Sequence, residues 1–256
     1  MQISEYYDGM TPDEWKPVLG DRLNYHFGFY RLGISFEQGL RLATRRLLPF
    51  FAGERVLDVG CGWGGPAFDM AQSGYDVVCV TNSRSQYDYC KSIGLNASLL
   101  DIEHDDLRAL GCFDTVVMME SLDHVFDKSP LLHKLIRITN RLVIVTNCHG
   151  FGIEAPLTTF GNTMCMVSTN MLLQMVAKAG WRVLSATDVR KYSMPTFRHW
   201  KTRIEAAYPT NRKPPVALLH SLCEIALQDM AGFQEAFPLL VVCAEGSGDS
   251  SLDKKW

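Results

Sequence analysis

The chain has 256 residues, 47% of them hydrophobic, and a formal charge of −3 with its lysines and arginines scattered rather than grouped. This suits one large α/β domain or two small ones with a sizeable core, and it argues against nucleic acid or an acidic membrane surface as partner. No basic leader with an apolar stretch opens the sequence and no apolar run approaches the roughly 20 residues that span a bilayer, so a cytoplasmic protein is expected. The eight cysteines form no CxxC pair. They sit mostly in apolar segments, as in VVCV around Cys79 and LLVVCA around Cys243, which fits reduced, buried thiols better than disulfides or a zinc site.

In chain order, residues 1–48 read as a helical segment ahead of the first strand. Short, almost continuously apolar runs then recur as RVLDVG from Arg55, DVVCVT from Asp76, DTVVMME from Asp114 and RLVIVTN from Arg141. Runs this apolar suit strands covered on both faces. Helix-compatible stretches separate them, with Gly74 and Gly94 placed as helix stops, and NASLL before Asp101 adds a short strand. Such alternation predicts a parallel, doubly wound sheet with right-handed crossovers. After Asn147 the stretch CHGFGIEAPLTTFGNTMC reads as a Gly-rich loop, followed by a helix opened by Ser168 or Thr169 and closed by Gly180. WRVLSATDV and FPLLVVCAEG read as the last strands. Residues 191–237 between them, aromatic and broken by prolines, predict helices capping a pocket, and the tail 247–256 is expected to be mobile.

The turn RVLDVGCGWGG carries the ligand argument. Gly60, Gly62 and Gly65 satisfy a dinucleotide fingerprint, yet Asp58 places a carboxylate two residues ahead of the first glycine. A pyrophosphate at the following helix N-terminus would be repelled by that anion, whereas a cationic head is favoured. The next strand ends in VTNSRSQ without the acid that a nicotinamide dinucleotide wants about 20 residues past the glycines. S-adenosylmethionine, with an ammonium and a sulfonium, fits both observations.

LDVGCGWGG, VTNSRSQ, LLDIEHDD and FDTVVMMESLDHV, taken in order, resemble the class I S-adenosylmethionine-dependent methyltransferases. The likeness is greatest to the cyclopropane-fatty-acid-synthase-like group and its sarcosine and dimethylglycine methyltransferase relatives. The opening YYD…LNYHFGFY and the later SMPTFRHW are similar to the same group, so the resemblance spans about residues 5 to 200. It implies a Rossmann-like, doubly wound, mostly parallel seven-stranded sheet with a helical N-terminal segment and cap. The divisions expected are a lid over 1–48, a cofactor-binding core over 49–190 and 238–246, a cap over 191–237 and the tail over 247–256.

The resemblance places Asp58, Gly60, Gly62 and Gly64 at the methionine half of the cofactor and Asn82, Ser83 and Gln86 at the ribose, although a polar helix cap explains the last three equally. Asp101 matches the position that accepts the adenine amino group, with Ile102 on the ring face; a solvated charge is the alternative. Glu120, also a cofactor-side residue, stands with Asp123 and His124 at the pocket mouth. Tyr6, Tyr7, Tyr25 and Phe29 are candidates for the sulfonium, with at least two assigned to packing and Tyr25 preferred by family position. Glu120, His124 and Tyr25 are the catalytic candidates; His26 is a second imidazole of suitable titration range. Trp200 and Phe197, with Phe151, Phe160 and Met164, are expected to enclose the acceptor. Methyl transfer to a nitrogen or carbon of a small soluble metabolite is the expected activity. The alternative is cyclisation of the cofactor itself to azetidine-2-carboxylate and methylthioadenosine, which needs a small closed pocket with no room for an acceptor. A cofactor-binding module without turnover is a third reading, and a homodimer stays open beside a monomer.

Overall fold

A computed structural model of the protein describes residues 3–159 and 163–246; the 247–256 tail and Phe160 lie outside the described residues. The elements begin with α1 (Ile3–Asp8), α2 (Pro12–Leu19) and α3 (Phe36–Leu47), then β1 (Arg55–Val59), α4 (Gly65–Gln72), β2 (Asp76–Thr81), α5 (Arg84–Ser92) and β3 (Asn96–Leu99). They continue with β4 (Thr115–Met119), α6 (Lys128–Leu135), β5 (Arg141–Asn147), β6 (Leu157–Thr159), β7 (Met164–Met166), α7 (Thr169–Lys178) and β8 (Trp181–Asp188). The chain then forms α8 (Arg190–Ser193), α9 (Pro195–Ala207), α10 (Pro214–Gln228), α11 (Met230–Ala236) and β9 (Leu239–Gly246).

Seven strands make one sheet in the order β3-β2-β1-β4-β5-β9-β8. β1 to β5 pair in parallel, and β9 runs antiparallel to both of its neighbours. The doubly wound, mostly parallel sheet expected from the sequence is the one observed. Its cause is visible in the period-two division of each strand. Val56, Cys79, Val117 and Val143 join one core with Trp15, Leu40 and Ala67. Leu57, Val78, Val116 and Ile144 join a second core with Leu131 and Val176. Both faces are covered, so nearly every residue of the central strands is apolar.

Local signals set the helix ends as anticipated. The Ser168 hydroxyl accepts a hydrogen bond from the Met171 amide at the start of α7, and Gly180 follows the helix with φ of 90°. The eight cysteines are unpaired, and only Cys112 among them is exposed.

The predicted Gly-rich loop after β5 differs from the structure, because it contains a small antiparallel pair, β6 with β7, in which Leu157 faces Met166 and Thr159 faces Met164. Three-residue strands are too short for an alternation to register in sequence. This pair is tied to the body by Lys128, a buried amine that donates to the carbonyls of Val125 and Cys165, both at 2.6 Å. Burial lowers the Lys128 pKa. Replacing Lys128 by methionine leaves two carbonyls without their donor and is expected to destabilise the protein by about 2–3 kcal/mol, measured by urea unfolding.

The helices of 190–236 sit against the N-terminal ones. The Tyr208 hydroxyl donates to the Glu14 carbonyl at 2.5 Å, and Arg203 Nε donates to the Val18 carbonyl at 2.9 Å. Between them the rings of Trp15, Tyr25 and Trp200 follow one another with centroid separations of 5.4 and 5.6 Å.

Candidate active site

The chain runs from β1 outward through β2 to β3 and then returns to place β4 on the other side of β1. A cleft opens at the carboxyl ends of strands at such a reversal. Here the turn after β1 meets the turn after β4, and the Ser121 hydroxyl donates to the Val59 carbonyl at 2.5 Å. Gly60 has φ of 74°, and a Cβ there would lie 2.4 Å from Ser121 Cβ. Gly62, with φ of 55°, faces open space, its nearest neighbour Gln86 Nε2 at 3.9 Å from an added Cβ.

The cleft has a volume of about 110 Å³, and Gly60, Gly62, Asn82, Gln86, Asp101 and Ile102 are on its wall. Gln86 Oε1 accepts from the Thr81 hydroxyl at 2.7 Å, and its Nε2 has no partner among the described residues. Asp101 Oδ1 accepts from the Glu103 amide at 2.9 Å. Asp58 lies in β1 at the foot of the glycine turn rather than on the wall; it is 1% exposed, and its Oδ2 also lacks a partner among the described residues. Burial pushes its carboxyl up to about 7. A glycine turn on the wall with a buried carboxyl behind it fits the methionine half of S-adenosylmethionine, and the free amide donor of Gln86 fits its hydroxyl-bearing sugar.

Two other positions are placed elsewhere. Gly64 is the left-handed residue before α4, where a Cβ would meet Leu95 and Cys90 rather than the cleft. Ser83 is fully buried; its hydroxyl caps α5 at the Gln86 amide and donates to Asp8 Oδ1 at 2.6 Å. Its helix-capping role is therefore the one seen, and α1 is fastened to the start of α5 through it.

Glu120 follows β4 in the left-handed region with φ of 57°. Its amide donates to the Val145 carbonyl, and its Oε1 accepts from the Phe27 amide, both at 2.7 Å. Burial pushes the carboxyl up to about 8; the Phe27 N–H opposes this, Asp123 adds to it, and Arg190 opposes it more weakly. His124 Nδ1 is 2.7 Å from the Thr163 carbonyl, which can only accept, so Nδ1 is the donor and the neutral tautomer that fits this bond has its lone pair on Nε2. His26 Nδ1 faces the Phe27 carbonyl at 3.1 Å, and burial lowers this imidazole to about 4, which keeps it neutral. The Tyr6 hydroxyl donates to the Pro215 carbonyl at 3.1 Å and lies 2.7 Å from the Tyr25 hydroxyl. With the Tyr6 proton on Pro215, Tyr25 donates to Tyr6, and burial holds both phenols well above their usual range.

A second cavity, of about 180 Å³, adjoins the first: Tyr7, Tyr25, Glu120 and His124 border both. Phe197, Trp200 and Met164 line it as expected from the sequence, together with Phe27, Met166 and Phe233. Phe151 does not; its ring is 50% exposed and stacks on His149. Asp123, Asn147 and Arg190 supply polar atoms to the wall. Sequence reasoning passed over Asn147 and Arg190, although a polar residue closing an otherwise apolar strand, as Asn147 does in β5, was a usable signal.

Comparison with known proteins gives this geometry a lineage. The family model described as mycolic acid cyclopropane synthetase matches residues 36–138, a span holding both the glycine turn and the Glu120–His124 stretch. Methyltransferase GfsG of Streptomyces halstedii is 27% identical over 219 residues, which cover 76% of this chain and 78% of that one. Family model and relatives alike make the chain similar to S-adenosylmethionine-dependent methyltransferases. Among solved structures the chain is similar to coclaurine N-methyltransferase bound to N-methylheliamine and SAH, with a TM-score of 0.75 and 20% identity over 95% of this chain and 84% of that one. The [4+2]-cyclase SpnF gives a TM-score of 0.74 and 19% identity over 95% and 94% of the respective chains. At these identities the two structures show a shared fold.

Proposed function

We propose that this methyltransferase transfers the methyl group of S-adenosylmethionine to the nitrogen of a small, largely apolar amine. The observation that carries the reading is the second cavity, apolar over most of its wall, joined to the cofactor cleft at Tyr7, Tyr25, Glu120 and His124. The cofactor, when bound, supplies an electrophilic methyl on a positively charged sulfur.

In this reading Gly60 and Gly62 hold the methionine half with the Asp58 carboxyl behind them, Asn82 and Gln86 hold the ribose, and Asp101 with Ile102 the adenine. The Tyr25 ring faces the sulfonium, contributing on the order of 0.5–2 kcal/mol. Residues 1–48 act as a lid and 191–237 as the cap over the acceptor. The Asp123 carboxylate favours an acceptor that is cationic when free, and Glu120 adds to this once it ionises. The nitrogen lone pair forms the new N–C bond as the C–S bond breaks, leaving S-adenosylhomocysteine. Before that attack His124 Nε2 takes the proton that the bound ammonium must lose to expose its lone pair, and the product leaves as the tertiary ammonium, while alignment in the joined cavities supplies much of the rate. A carbon acceptor would need stabilisation of a developing ion, for which the wall offers less. Intramolecular cyclisation of the cofactor calls for a closed site with no room for an acceptor; the adjoining apolar cavity supports an external acceptor instead.

The test is product analysis. Incubated with S-adenosylmethionine and a panel of apolar secondary amines, the protein is expected to form S-adenosylhomocysteine and the matching tertiary amine. Methylthioadenosine released from the cofactor alone, with no amine methylated, would overturn the reading.

A further inference from the structure

Asp123, Asn147 and Arg190 form a continuous chain of hydrogen bonds along the acceptor cavity. They come from three places in the fold: the turn after β4, the last residue of β5 and the first of α8. The Asn147 amide nitrogen donates to Asp123 Oδ2, and its amide oxygen accepts from Arg190 Nη2. A guanidinium only donates and a carboxylate only accepts, so the Asn147 amide has a single orientation that satisfies both.

Arg190 is fixed in turn. Its Nε donates to the Phe237 carbonyl at 2.7 Å, its Nη1 to the Ser193 hydroxyl at 3.3 Å, and its guanidinium lies 4.5 Å above the Phe27 ring. With three of its nitrogens engaged, it is built to hold a neighbour in place. Behind it, its own amide donates to Asp188 Oδ1 at 2.9 Å. At the other end of the chain Asp123 is 1% exposed, and its Oδ1 has no partner among the described residues. A buried carboxylate with one oxygen fully bonded and the other free is a directional acceptor on the wall of an otherwise apolar cavity.

We infer that Arg190, acting through Asn147, is a positioning residue that fixes the Asp123 carboxylate with Oδ1 left free to accept from the N–H of a cationic acceptor. This rests on the amine reading of the same cavity. The charged and titratable groups sharing the cavity wall with Asp123 are Glu120, His124, Arg190 and the phenols of Tyr7 and Tyr25, and Lys128 and Cys148 lie within electrostatic reach of its carboxylate. The relay makes the choice of amine over ether or alcohol depend on two wall residues that act through Asp123.

The test compares two probes of nearly the same shape in the protein loaded with S-adenosylhomocysteine. One is N-methylbenzylamine, cationic at neutral pH; the other is benzyl methyl ether, its neutral counterpart. Wild-type protein is expected to prefer the amine. Asn147→Ala is expected to weaken the amine by roughly tenfold or more, as loss of a buried charge's partner does, and to leave the ether within about twofold. Arg190→Lys, which keeps the charge but loses the planar fork, is expected to fall between wild type and Asn147→Ala. Undiminished amine affinity in Asn147→Ala, equal loss of both probes, or a wild type with no preference would overturn the relay. A wild type that prefers the amine through Asn147 yet methylates no amine would sink the amine-methylation reading alone. Amine methylation with an indifferent Asn147→Ala would sink the relay alone.

Discussion

Replacing Gly60 by alanine is expected to weaken S-adenosylhomocysteine binding by roughly a hundredfold or more, the scale on which small displacements of a preorganised site act, while the variant still unfolds cooperatively. Two effects combine. The residue sits at φ of 74°, and a new Cβ would meet Ser121 Cβ at 2.4 Å. Left-handed backbone alone costs a non-glycine residue about 1–2 kcal/mol. The steric clash is the larger matter, because Ser121 cannot move freely: its hydroxyl holds the Val59 carbonyl, and Glu120 beside it is anchored to the Phe27 amide. Relief therefore opens the seam between β1 and β4, where cofactor and acceptor must meet. Gly74→Ala is the control. That glycine also has positive φ, at 95°, but an added Cβ finds nothing within 4 Å. It should lose a little stability and bind the ligand as wild type does. Calorimetric titration of both variants decides the matter, and a Gly60→Ala protein binding within a few-fold of wild type would contradict the role given to the turn.

The glycine turn was legible because its causes are local. A strand ending in Asp58-Val59-Gly60 admits few backbone paths, and the apolar strands declare their double coverage residue by residue. What escaped notice depends on groups brought together from far along the chain. Ser83 is a helix cap by its own neighbourhood, and its bond to Asp8 joins residues 75 positions apart. Likewise Arg190 reads in sequence as an ordinary basic residue at the start of a helix. Only the return of β9 beside β5 brings the end of β8, and with it Arg190, against Asn147. The β6–β7 pair was hidden for a different reason. Its strands of three residues are held in place by the buried Lys128 amine, whose partners Val125 and Cys165 no periodicity connects.

Glu120 should set stability and amine capture against one another as pH rises. Its carboxyl is displaced from an ordinary value of 4.5 up to about 8, chiefly by burial. The folded protein thus holds a proton that the unfolded chain gives up, so this contribution to stability is complete below about 4.5 and is lost as pH climbs through about 8. Asp58, displaced from 3.8 to about 7, acts with the same sign over a lower window. The cofactor-free protein is accordingly expected to melt at progressively lower temperature from pH 5 to pH 9. Glu120→Gln retains an oxygen for the Phe27 amide but cannot ionise, so it should lose the upper part of that slope and melt above wild type beyond pH 8. Affinity for the cationic N-methylbenzylamine runs the other way. As Glu120 ionises beside Asp123, the acceptor cavity gains negative charge, and wild-type binding should tighten through about pH 8 until the amine itself deprotonates. In Glu120→Gln that gain should be absent, and amine methylation at alkaline pH should fall by roughly a hundredfold, within the range assigned to a lost charged catalytic group. Melting curves and probe titrations that kept the wild-type pH slopes in Glu120→Gln would show that the titrating group lies elsewhere. A variant that lost activity with both slopes intact would reduce Glu120 to a strut for Phe27.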